Sequence, residues 1–124
     1  MHPEKVKFHR QSQQLELVFA GTSYQLSAEF LRVHSPSAEV RGHGQGQEVL
    51  QHGKQGVTVT KLQPCGHYAL QLFFSDGHDS GLYSWDYLAN LCQNQQALWQ
   101  EYLQKLNHAG LARDPDTQVV RFIE

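Results

Sequence analysis

The chain has 124 residues, 40% of them hydrophobic, and a formal net charge of −2, with a mean hydropathy of −0.54. That length suits one domain with a real core, and the near-neutral charge gives no electrostatic footprint for nucleic acid or an anionic membrane. No apolar run approaches the ~18 residues of a membrane span, and MHPEKVKFHR lacks the apolar stretch of a secretory signal; the expected compartment is the cytoplasm, with Cys65 and Cys92 as reduced, separate thiols.

In chain order, Lys5 to Phe8 reads as a short strand and Gln11 to Gln14 as a polar turn. Leu15, Leu17 and Phe19 alternate with polar residues, predicting a strand. Ala20-Gly21-Thr22 is a tight turn, and Tyr24 to Leu26 returns. Ser27 is a candidate N-cap with Glu29 in the first helical turn, followed by Phe30, Leu31 and Val33. Pro36 limits that helix, because the residue before proline disfavours the α region. Residues 35–56 carry glycines at 42, 44, 46, 53 and 56, and read as a long loop or a loop with a marginal hairpin.

Val57 to Leu62 is a β-branched strand, Pro64-Cys65-Gly66 a turn, and Tyr68 to Phe74 a strand with Tyr68, Leu70, Leu72 and Phe74 on one face. Asp76-Gly77 signals a hairpin, and Gly81 to Tyr83 returns. Ser84 caps a helix carrying Tyr87, Leu88, Leu91 and Cys92, with Asp86 in its first turn. Asn94 caps a second helix through His108, with Gly110 as C-cap. Asp114-Pro115-Asp116 breaks the chain again, and Val119 to Glu124 frays or adds as an edge strand.

The chain echoes itself. LELVF, Gly21 and SAEFL (residues 15–31) are followed by LQLFF, Gly77 and SWDYL (residues 70–88). Ser27 matches Ser84, Glu29 matches Asp86, and Phe30-Leu31 matches Tyr87-Leu88. A pattern used twice reads first as helix capping, not catalysis. The second unit differs by its turn, Ser75 to Ser80, with His78 at the centre.

Catalytic patterns fit poorly. The HxE of an iron oxygenase occurs at His2-Pro3-Glu4, beside the chain start. Ser75, Asp76, His78, Asp79 and Ser80 are neighbours without a nucleophile elbow, and read as a solvated turn. GHGQG at 42–46 lacks a preceding strand and a following helix, so it reads as a loop rather than a phosphate cradle. Eight histidines are present, with no HExxH.

LRVHSPSAEVRGHG (residues 31–44) together with FSDGHDSGLYSWDYL (residues 74–88) resembles DUF971, similar to the N-terminal domain of γ-butyrobetaine hydroxylase. In that enzyme and in trimethyllysine dioxygenase the domain precedes the catalytic domain and holds zinc through three cysteines and a histidine. Carried over, the resemblance places the cysteines at Ser35, Ser37 and Val40, and the histidine at His78. Three thiolates are missing, so the resemblance implies that the zinc site is replaced here by hydrogen bonds or packing. The same domain type fused to Mrp-like P-loop ATPases implies a link to iron–sulfur biology.

The expected fold is α+β: a small, mainly antiparallel sheet of about five or six strands beside two or three helices, built as two strand–turn–strand–helix units. The domain spans 1–112 and a tail follows at 113–124. The expected function is non-enzymatic: an accessory, binding domain recognising a protein or metal-linked partner. Binding candidates are Arg32, Arg41, His43, Asp76, His78 and Trp85, with His34 and Tyr83 beside them. The alternative is zinc or iron binding by His78 with His34 and His43. No resident cofactor is expected, and a monomer is favoured.

Overall fold

The computed structural model describes residues 1–42, 44, 46–117 and 120. His43 and most of the expected C-terminal strand lie outside the described residues; Val120 is exposed. Among the described residues, ten elements follow in chain order: β1 (Lys5–His9), β2 (Gln14–Phe19), β3 (Thr22–Ser27), α1 (Ala28–Val33), α2 (Ala38–Arg41), β4 (Val59–Cys65), β5 (Ala69–Phe74), β6 (Leu82–Ser84), α3 (Trp85–Gln93) and α4 (Gln95–Ala109).

The fold is α+β, with two three-stranded antiparallel sheets ordered β1-β2-β3 and β4-β5-β6. The single sheet expected from sequence is therefore two. Each is a local meander: β2 returns to β3 with Phe19 opposite Thr22, leaving a two-residue loop. Ala20 and Gly21 in that loop both have positive φ, as a hairpin turn matching strand twist requires. Alternation then works as predicted: Leu15, Leu17 and Phe19 of β2 face the same core as Leu70, Leu72 and Phe74 of β5, with Leu31, Leu88 and Leu91 from the helices over them. Gln13 joins the two units: its carbonyl accepts from the Ala28 N–H at 3.0 Å and its side-chain oxygen from the Val59 N–H at 2.8 Å.

The paired units appear as matched capping sites. Ser27 Oγ accepts from the Phe30 N–H at 3.0 Å, and Ser84 Oγ from the Tyr87 N–H at 3.1 Å. Asn94 makes no side-chain cap bond to α4; its side-chain amide donates back to the Asn90 carbonyl. The expected turn at Pro64 is also displaced. Pro64 and Cys65 belong to β4, tolerated because β4 is an edge strand where a missing N–H breaks no inner ladder. Tyr68 sits in the following turn and is exposed, rather than facing the core. Residues 35–56 hold the short helix α2, and the Val49 N–H donates to the Val40 carbonyl at 2.8 Å, tying the following segment to it.

Candidate functional site

The turn after β5 does not leave His78 in solvent, as a solvated turn would. Gly77 adopts a φ of 88°, open to glycine at little cost, and the Phe74 N–H donates to the His78 carbonyl at 3.0 Å. The ring is buried against the segment that joins α1 to α2. Its Nε2 lies 2.8 Å from Ser35 Oγ and 3.4 Å from Ser37 Oγ, while Nδ1 lies 3.3 Å from Glu39 Oε2. Burial and the nearby Arg32 charge hold the His78 pKa below its ordinary value, against the pull of Glu39 and Asp76. The ring is then neutral near pH 7, with Nδ1–H donating to Glu39 and Nε2 accepting from the serine hydroxyls.

This acid–imidazole–serine order has the connectivity of a hydrolase triad, but its exposure is inverted. Ser35 is 1% exposed and its hydroxyl also accepts from the Ser37 N–H, whereas the Glu39 side chain is 72% exposed. A nucleophile must meet substrate; Ser35 faces the fold. Gly81 fits here because a Cβ on it would stand 2.5 Å from Ser35 Oγ.

Of the positions at which the resemblance places zinc ligands, Ser35 and Ser37 lie within hydrogen-bond reach of His78, and Val40 is buried in the same segment. Their chemistry does not fit the metal. One imidazole already engaged on both nitrogens, two neutral hydroxyls and an alkyl side chain lack the donors of a tetrahedral zinc site. Among the described residues, no three His, Cys, Asp or Glu side chains gather as a metal group.

Arg32 and Asp76 form the second part of this cluster. Asp76 Oδ2 accepts from Arg32 Nε at 2.9 Å and from Lys54 Nζ at 2.7 Å, and Oδ1 accepts from the His78 N–H at 3.2 Å. The Arg32 side chain is only 8% exposed, and its Nη1 has no partner among the described residues. Arg32, Asp76 and His78 thus brace the turn onto α1. Tyr83 is buried completely, and its hydroxyl donates to the Leu31 carbonyl, so it is core rather than surface. Trp85 is half-buried at the other end of β6, donating through Nε1 to the His67 carbonyl at 2.8 Å, in a separate place from the His78 cluster.

His34 and Arg41 face a different feature, which the sequence did not indicate. A cleft of about 730 Å³ lies between the α1–α2 segment, residues 48–51 and α4, with Tyr87 of α3 at its base. Its apolar lining comes from Val33, Val40, Leu50 and Leu98. His34 Nδ1 donates to the Phe30 carbonyl at 2.9 Å, one turn back along α1, and the ring lies against Phe30 with centroids 4.4 Å apart. Burial lowers the His34 pKa. The Arg41 guanidinium stands over the Tyr87 ring, 5.1 Å from its centroid, and the Tyr87 hydroxyl donates to the His34 carbonyl. The Tyr102 hydroxyl donates to the Gln51 carbonyl at 2.9 Å, closing the far wall. The lining comes from stretches far apart in sequence, which is why no linear motif announces it.

Comparison with known proteins follows the same lines. The family model described as gamma-butyrobetaine hydroxylase-like, N-terminal, matches residues 6–89. A protein solved by NMR in solution is 50% identical, with a TM-score of 0.86, over 99% of this chain and 98% of that one. A second NMR structure is 44% identical, with a TM-score of 0.77, over 99% and 93% of the two chains. A 1.93 Å crystal structure from Acidithiobacillus ferrooxidans, described as a protein of unknown function of the DUF971 family, is 36% identical, with a TM-score of 0.60. It aligns over 73% of this chain and 91% of that one. No curated protein matches.

Proposed function

The chain belongs to the γ-butyrobetaine hydroxylase-like N-terminal (DUF971) family, whose function is unknown, and from that premise we propose that it is a non-enzymatic accessory domain that recognises a protein partner at the cleft beside α2. The observation that carries this reading is the cleft itself: apolar side chains of Val33, Val40, Leu50 and Leu98, with His34 and Arg41 among the polar residues that line it. Apolar walls with a few placed polar groups are the usual composition of a concave ligand site, and an exposed arginine is favoured in contacts with a protein partner. The His78 cluster supports the same reading indirectly. Its groups hold one another and fix the segment from which Arg41 projects, so the polar motif residues act as scaffold for the cleft. Metal-centred function has weaker support, because both ring nitrogens of His78 are already engaged by side chains of the fold.

The test is affinity capture from a native lysate, quantified for wild type, Arg41→Ala and Lys7→Ala. Lys7 is exposed on β1, outside the cleft. The expected result is a protein recovered by wild type and by Lys7→Ala but lost with Arg41→Ala. Equal recovery by wild type and Arg41→Ala overturns the proposal.

A further inference from the structure

On the reading that the cleft is the recognition site, we infer that it takes the C-terminal end of a partner polypeptide: the terminal carboxylate on Arg41, the last backbone N–H on His34 Nε2, and apolar side chains against Val33, Val40 and Leu50.

His34 supplies the first half of the argument. Its Nδ1–H is committed to the Phe30 carbonyl, which fixes the tautomer and leaves Nε2 as a lone-pair acceptor. Nε2 has no protein hydrogen-bond partner among the described residues and is not one of the buried unpartnered atoms, so it is open to solvent on the cleft side. A ligand that covers this acceptor must replace its water with a donor of its own or bear the cost of leaving it unpaired. Arg41 supplies the second half. It makes no ion pair among the described residues, and its planar guanidinium matches a carboxylate. The other charges lining the cleft are Glu48, Glu101 and Lys105, the last two near enough to His34 to act on it with opposite sign. Lys105 and Glu101 pair with each other at 3.0 Å, and Glu48 is exposed.

Tyr87 contacts both residues, with its ring under Arg41 and its hydroxyl on the His34 backbone carbonyl, and both side chains line the same cleft. A chain terminus presents the matching pair, because its last N–H and its carboxylate hang on one Cα. A mid-chain segment without an acidic side chain would leave Arg41 without an anion, and a simple carboxylic acid would leave Nε2 without a donor. The cleft volume of about 730 Å³ lies within the range of about 300–1,000 Å³ for small-ligand clefts, and exceeds what one side chain fills. Capture of terminal carboxylates is an established peptide-recognition mode.

The experiment is a titration of the ¹⁵N-labelled full chain, followed by NMR, with N-acetyl-Leu-Phe and with the same peptide carrying a C-terminal amide. The acid is expected to give saturable shifts at the amides of Val33, Ser35, Val40, Gly42, Leu50 and Tyr102. The amide form is expected to bind at least ~10-fold more weakly, the loss of one charge-assisted contact. Arg41→Ala, an exposed change, should bring the two peptides to the same weak affinity. Absence of saturable shifts with the acid at ~5 mM, far above a useful affinity, overturns the inference. Equal affinity of acid and amide for wild type overturns the carboxylate assignment and leaves the cleft as a peptide site. The cleft reading itself stands or falls separately, on partner capture by Arg41→Ala.

Discussion

Asp76 places two cations on one oxygen, and its protonation reports on the whole turn. Burial works to raise its pKa, but Lys54, the His78 N–H and Arg32 together overcome this and hold it at about 2. Its folded value lies below the unfolded carboxylate value near ~4, so the network contributes stability above that pH. The contribution is lost as the pH falls through the folded pKa of about 2. Asp76→Asn should therefore cost on the order of 2 kcal/mol at pH 7, with the gap to wild type closing between about pH 4 and 2. Urea titrations across that range check it; a gap independent of pH would contradict the assigned network. At His78 the prediction concerns chemistry the site lacks. The wild-type melting temperature should be the same in zinc and in chelator. Ser35→Cys, Ser37→Cys and Val40→Cys together should bind about one zinc per chain, since they add three thiolates beside an imidazole. Elemental analysis decides it, and a triple variant without zinc shows that these four positions do not converge as a tetrahedron. His78 was legible in the sequence as the centre of an unexplained turn. Its partners lie 41 and 43 residues away, and only the family resemblance pointed to them.

Among the elements, α1 and α3 were readable because each starts with the same physics. A serine in extended geometry, at ψ 156° before α1 and 157° before α3, turns its hydroxyl onto an N–H that the helix cannot satisfy itself. Ser27→Ala is expected to cost about 1 kcal/mol of unfolding free energy, and Ser84→Ala a similar amount, as measured by chemical denaturation. A loss confined to Ser27→Ala would mean that the matching geometry is not matched in energy. The helix α2 went unread even though Ser37-Ala38-Glu39 repeats Ser27-Ala28-Glu29. Four residues with only Val40 buried leave no periodicity to detect, and the capping hydroxyl is diverted to His78. The acids of the two echoed helices also part company. Glu29 is buried in a two-pronged pair with Arg113 at 2.8 and 2.7 Å, while Asp86 meets the Met1 amino group in solvent. The dipole argument was right about position for both and silent about these partners, which come from the chain ends.

For the molecule as a whole, the two units are held by a few polar bonds laid across a shared apolar core. Alternation within each strand predicted which faces are apolar. It could not say that six strands form two sheets, because pairing is decided by which hairpins close locally and by what the helices cover. Tyr83 shows how the units are registered. It leaves β6 of the second unit, is completely buried, and donates to the Leu31 carbonyl on α1 of the first. Burial pushes the phenol pKa far above its ordinary value, so the hydroxyl stays a donor at any working pH. Removing it leaves a buried carbonyl without that donor while the ring still fills its space. Tyr83→Phe should therefore cost about 1–2 kcal/mol, with the denaturant slope unchanged because the surface exposed on unfolding is the same. A slope that falls along with the midpoint would show the units unfolding separately. In that case the bond works as a hinge between two units, and the cleft, whose walls come from both, would lose its shape before the sheets lose theirs.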